Sequence, residues 1–278
     1  MILWLLGCQQ PDLSQEWDLD RLRLLAIRAE PAEPRPGDTV TFTSLSYVPD
    51  GAAWSSVWFA CVDDGCSFDT SMLDGLEDVD SMTPEEQAEL FAELQDAGLI
   101  GFEPGFSPTW TVPEDALEGL SSEETLEGLG ATVQVTLATE DDTELVLRRV
   151  PVSLATTPNS NPDVASVTVD GREGVTEATV SADTDVALVG DVSELEQYEY
   201  LDTDGVIETR TEELEWRWYV DGGELDAGFD FGTQDPEETM ESTVTWHTPE
   251  APGAYVVHAV VLDGRGGMGW WSVSVTVE

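Results

Sequence analysis

The 278-residue sequence predicts an all-β protein of two tandem β-sandwiches, the first with a short helical insertion. Three observations predict it. Short runs alternate apolar and polar residues with a period of two, as half-buried strands do. A stretch of prolines and short polar residues at 156–163 divides these runs into two sets of ordinary domain size. One segment carries paired helix start and stop signals.

In the first set, Leu24-Leu25-Ala26-Ile27-Arg28-Ala29 reads as a strand, the proline-rich stretch ending in Pro36-Gly37-Asp38 as a turn, and residues 39–45 as an alternating strand. Residues 56–61, 109–112, 132–138 and 144–154 complete it. Between them, Thr83-Pro84-Glu85-Glu86 makes a capping box with proline in the first turn, and Gly98 follows as a C-cap. A helix is expected there, with Phe91 and Leu94 on its packed face over an open end of the sandwich. The second set supplies strands at 165–171, 178–180, 185–189, 214–220, 243–246, 253–261 and 271–277. The predicted division is a signal segment over 1–8, a tether over 9–20, a sandwich with a helix over 21–156, a linker over 157–164 and a second sandwich over 165–278.

Charge narrows the function classes. Acidic residues number 58 against 10 basic ones, all arginine, for a formal net charge of −48. Such a surface repels phosphate backbones and anionic headgroups, because nucleic-acid affinity comes from Lys and Arg releasing counterions. Nucleic acid is therefore not an expected partner. A hydrophobic share of 41% is ordinary for a globular chain and separates this composition from disorder.

The opening residues Met1 to Leu6 are apolar and uncharged, and a polar, acidic stretch begins at Gln9. Leu5-Leu6-Gly7-Cys8 resembles the bacterial lipobox, which implies that Cys8 is the lipid attachment site and that the protein sits in the cell envelope. Gln9 in place of aspartate after that cysteine implies outer-membrane or cell-surface delivery. Export implies an oxidising compartment, where Cys61 and Cys66, with four residues between them, read as a local disulfide; two buried thiols are the alternative.

The order of strand, proline-rich turn, Gly37-Asp38 and alternating strand resembles the start of immunoglobulin-like domains. Trp216-Arg217-Trp218-Tyr219-Val220-Asp221-Gly222-Gly223, with Pro252-Gly253-Ala254-Tyr255 and Asp263-Gly264-Arg265-Gly266-Gly267, resembles PKD-type and related immunoglobulin-like domains of bacterial surface proteins. The whole layout resembles surface lipoproteins of myxobacteria-like bacteria. These resemblances imply two immunoglobulin-like sandwiches in a non-enzymatic, lipid-anchored protein that acts as a spacer, adhesion or binding module toward a surface protein or polysaccharide. A calcium-stabilised, lectin-like glycan-binding module is the alternative.

Candidate site residues are few. The chain has no lysine, and His247 and His258 are its only histidines, both in or at the end of alternating runs, where strand positions are expected rather than catalytic bases. No catalytic set and no obligatory cofactor are expected. Calcium is the ligand best suited to acidic turns, since hard cations take several carboxylate and carbonyl oxygens. Asp202-Thr203-Asp204-Gly205 with Glu208 is the main metal candidate, and Asn159, Asn161 and Asp163 with Asp263 the second. Trp270 and Trp271 are adjacent, so one points into the sheet and the other outward as a candidate contact.

Overall fold

The computed structural model describes residues 15–62, 82–102, 107–122, 124–201, 206–231 and 241–278. The chain is all-β, as expected. Strands β1 (Arg23–Glu30), β2 (Thr39–Tyr47), β3 (Ser55–Cys61), β4 (Leu99–Gly101), β5 (Thr109–Thr111), β6 (Leu129–Ala138) and β7 (Thr143–Val152) form two sheets, ordered β1-β2-β5 and β4-β3-β6-β7. Their apolar positions face each other across one core, where Phe42 stacks on Trp58 at 6.2 Å amid Val40, Val133, Val135 and Leu137.

The rest of the chain builds a second pair of sheets. Its strands are β8 (Val164–Val169), β9 (Glu177–Val180), β10 (Asp185–Val192), β11 (Gln197–Leu201), β12 (Ile207–Thr211), β13 (Glu215–Val220), β14 (Glu224–Leu225), β15 (Phe229–Phe231), β16 (Ser242–His247), β17 (Gly253–Leu262) and β18 (Met268–Val277). Sheet β14-β16-β10-β8 faces sheet β15-β13-β17-β18-β9, in which β9 runs parallel to β18. Strands β11 and β12 form a separate two-stranded ribbon. Three fully buried tryptophans fill the second core, and two of their indole N–H groups are satisfied: Trp218 donates to Ser242 Oγ at 3.0 Å and Trp246 to the Gly222 carbonyl at 2.9 Å. Gly190 lies under the third, since a Cβ there would sit 2.6 Å from Trp216 Cζ3.

Helix α1 (Pro84–Asp96) forms where its signals predict. Its capping box closes, with Thr83 Oγ1 accepting from the Glu86 amide at 3.3 Å and Glu86 Oε2 accepting from the Thr83 amide at 2.8 Å. Leu94 packs against Phe59 and Leu99, so the helix lies on the outer face of the β3 sheet rather than over an end of the sandwich. A second, short helix, α2 (Glu124–Glu127), precedes β6.

The two pairs of sheets share a third apolar cluster. A bulge in β1 between Leu24 and Ala26 puts Leu25 and Ala26 together on its outer face, while Leu24, Ile27 and Ala29 face the first core. Leu25 and Ala26 meet Tyr219, Val260 and Met268 of the second module's larger sheet, along with Leu19. Residues 15–20, expected as part of a free tether, are held here: the Val220 amide donates to the Trp17 carbonyl at 3.1 Å and the Leu19 amide to the Val220 carbonyl at 2.9 Å. Leu19 is inward-facing and apolar, so docking it removes surface that a solvated tether would leave in water.

Candidate functional site

Beside the apolar junction lies a buried polar network centred on the β17–β18 loop. The loop winds round its own first residue: Asp263 Oδ1 accepts from the amides of Arg265 and Gly267, each at 2.8 Å. Gly267 is required there, because a Cβ would collide with the Asp263 carboxylate. Asp263 Oδ2 accepts from Asn159 Nδ2 at 2.7 Å, tying the loop to the segment that joins the two pairs of sheets.

Arg265 is the centre of the bridge. Its guanidinium reaches Glu33 Oε2 at 3.5 Å on the first module, Glu196 Oε2 at 3.4 Å on the second and the Thr157 carbonyl at 3.4 Å between them, and it lies 4.2 Å from the Tyr198 ring centroid. A planar cation with several fixed donors suits this role better than a lysine would. Glu33 is used fully, since Oε1 accepts from Ser153 Oγ at 2.5 Å and Oε2 from the Asn159 amide at 2.6 Å. Asn161 completes the closure, donating to the Ala29 carbonyl at 2.7 Å and accepting from the Met268 amide at 2.9 Å. The segment that the sequence presents as a polar linker is thus fastened to both sides.

Glu212 lies deeper, 5% exposed. Its Oε1 accepts from the Glu196 amide at 3.1 Å, and its Oε2 is buried with no partner among the described residues. Burial, reinforced by the Asp263 and Glu196 carboxylates, pushes its pKa up to about 7. Asn159 Oδ1 and Arg148 Nε are likewise buried without partners, although Arg148 Nη2 donates to the Gly266 carbonyl. Burial also lowers the Arg148 pKa.

Above the network a cleft of about 460 Å³ opens between the modules, lined by Tyr198, Tyr200 and Ile207 of the ribbon, Leu126 and Glu127 of α2, and Arg265. Arg210 covers one face of Tyr200 at 3.6 Å. Ile207 is 65% exposed, so the cleft presents aliphatic and aromatic surface within an acidic rim.

The sequence-predicted sites fall out as follows. Cys61 is disulfide-bonded; Cys8 and Cys66 lie outside the described residues. Asp202 and Asp204 also lie outside them, and Glu208 pairs with Arg210 at 3.3 Å. Of the second calcium set, Asn159, Asn161 and Asp263 converge at the junction, while Asp163 is exposed and apart from the network. Among the described residues no group of three His, Cys, Asp or Glu side chains is arranged to hold a metal ion. Trp271 packs against the second core and donates to the Val175 carbonyl at 2.8 Å. Trp270, the outward one, packs into the junction cluster with Arg28 5.0 Å above its ring. His247 has both ring nitrogens against carboxylates, Asp185 at 2.8 Å and Asp183 at 3.3 Å, and the Asp185 hydrogen bond raises its pKa. His258 is buried beside Ser272 Oγ at 2.8 Å, and burial lowers its pKa to about 4.

Sequence reasoning found Asp263 and Asn159 but missed Arg265, Glu33, Glu196 and Glu212. The available signal was Arg265 itself, a rare cation in a glycine-rich loop of a chain with 58 acids.

No family model matches the chain, and no curated protein matches it. Among solved structures, red sea bream transglutaminase is 12% identical, with 93% of this chain and 31% of that one covered and a TM-score of 0.28. The Yersinia pseudotuberculosis adhesin InvE is 14% identical, covering 91% and 58% with a TM-score of 0.24. A nucleoside hydrolase-related protein from Saccharophagus degradans is 16% identical, covering 44% and 26% with a TM-score of 0.28. The chain spans less than a third of the transglutaminase and of the Saccharophagus protein.

Proposed function

We propose that the chain is a non-enzymatic, lipid-anchored protein of the cell envelope, in which two immunoglobulin-like sandwiches form one stiff spacer and binding module. The observation that carries this reading is the fastened junction: Arg265 bridges Glu33 and Glu196 across the modules, and the intervening Asn159 is 4% exposed. A buried, cross-linked connection holds its two sides at a fixed angle, unlike a solvated linker. Adhesion and spacing need that property; the disulfide at Cys61 fits an oxidising compartment. A surface protein or polysaccharide partner would bind at the acidic, tyrosine-lined cleft.

The test has two arms. Mass spectrometry of the exported protein reads Cys8, and an unmodified thiol there removes the anchor. Small-angle scattering reads stiffness: a single compact particle dimension is expected for the native chain, and a broader distribution for Arg265→Ser. Equal, broad distributions for both would overturn the spacer reading.

A further inference from the structure

One strongly exposed aromatic pair has no role in the junction. Phe229 and Phe231 are 56% and 62% exposed, their ring centroids 5.7 Å apart, on the edge strand β15. They pair in register with Arg217 and Glu215, so they share the outer face of the larger sheet, opposite the core side that buries Trp216 and Trp218. An exposed hydrophobic pair on an edge strand adds a hazard of mispairing, and a soluble chain has reason to avoid it.

The first of the described residues lie beside this pair. Trp17 packs on Gly228, the residue before Phe229, and Glu16, Trp17 and Phe229 line one small pocket. Six residues lie between Cys8 and Gln15, a span of seven Cα steps. Fully extended they reach no more than about 25 Å. A lipid at Cys8 therefore holds Gln15 within that distance of the bilayer, with the phenylalanines near it.

We propose that Phe229 and Phe231 form a membrane-contact face, inserting at the interface of a zwitterionic bilayer when the chain is tethered through its N-terminus. The inference rests on the anchor at Cys8. Two rings bury too little apolar surface to bind a bilayer unaided, but a short tether supplies a high effective concentration, which makes weak contacts count. Zwitterionic lipid is specified by charge: Arg217, opposite Phe229, is neutralised by Glu215 at 2.6 Å, Glu16 lies beside Phe229, and a net charge of −48 opposes an anionic leaflet. Docking this pair orients the module, with the β15 edge of the larger sheet toward the lipid while the rest of that sheet's outer face stays packed on the first module.

The test supplies the anchor independently of Cys8. Residues 1–8 are exchanged for a hexahistidine that binds nickel-chelating lipid in phosphatidylcholine vesicles, and hydrogen exchange is followed over residues 227–231 with and without vesicles. The native surface is expected to show exchange slowed by about threefold or more on the vesicles, and Phe229→Ser/Phe231→Ser no slowing. Replacing half of the phosphatidylcholine with phosphatidylglycerol should reduce the effect. Phe231→Ser alone serves if the double variant loses the native tryptophan fluorescence. No slowing in the native chain, or equal slowing in the serine variants, would overturn the proposal. The mass of Cys8 in the exported protein judges the anchor separately, so failure of one is not mistaken for failure of the other.

Discussion

Replacing Glu212 with glutamine tests the polar junction through pH. The native carboxyl titrates at about 7 against 4.5 in the unfolded chain, because it is buried near Asp263 and Glu196. A folded-state pKa above the unfolded one means that the group's contribution is fully present below pH 4.5 and is lost as pH rises through 7. Complete ionisation of the buried group at pH 8 costs about 2–3 kcal/mol, at 1.36 kcal/mol for each pKa unit with some relief from solvent. Glutamine keeps the oxygen that accepts from the Glu196 amide at 3.1 Å and cannot ionise. Urea denaturation of both proteins at pH 5, 6, 7 and 8, followed by tryptophan fluorescence, reads the difference. The advantage of Glu212→Gln should be under about 1 kcal/mol at pH 5 and grow to about 2–3 kcal/mol by pH 8. Comparison at each pH cancels most of the general repulsion of so acidic a chain. A difference that stays constant from pH 5 to 8 would refute the reasoning.

Further outcomes follow from other sites. His258, at about 4 in the fold against 6.5 unfolded, contributes stability that is complete above pH 6.5 and lost as pH falls toward 4. His258→Gln should flatten that acid limb by about 2–3 kcal/mol in the same denaturation assay. Gly267→Ala forces a methyl into the Asp263 carboxylate and should lower stability by about 2 kcal/mol or more, read as a fall in Tm. Thr83→Ala removes the cap of α1 and should cost about 1 kcal/mol, confined to exchange of the helix amides.

How much of this was legible follows from which faces are buried. Within the run read at 39–45, residues 39–42 alternate in burial because the outer side of β2 is partly exposed, and the capping box of α1 is local chemistry that needs no tertiary information. Strands β1 and β17 are different. Leu24 to Ile27 and Val257 to Val261 are buried without interruption because both faces meet apolar surface, one in a core and one in the junction. That pattern marks a buried strand but not what covers it. The junction network was hidden for a related reason: Glu33, Glu196, Glu212 and Arg265 are far apart in sequence, and in a chain with 58 acids no single carboxylate stands out. Trp270 and Trp271 were read by alternation alone, which separates inward from outward but does not foresee that the outward side belongs to another module.

The clip between residues 17–19 and Val220 also sets how the molecule carries mechanical force. Asp18 and Val220 form a parallel bridge, flanked by hydrogen bonds of 3.1 and 2.9 Å. A pull on the chain at residue 15 is therefore delivered to β13 in the middle of the second module before it reaches β1. The first sandwich is shielded until that clip shears, and the tension path runs through the tryptophan core rather than along the chain from one module to the next.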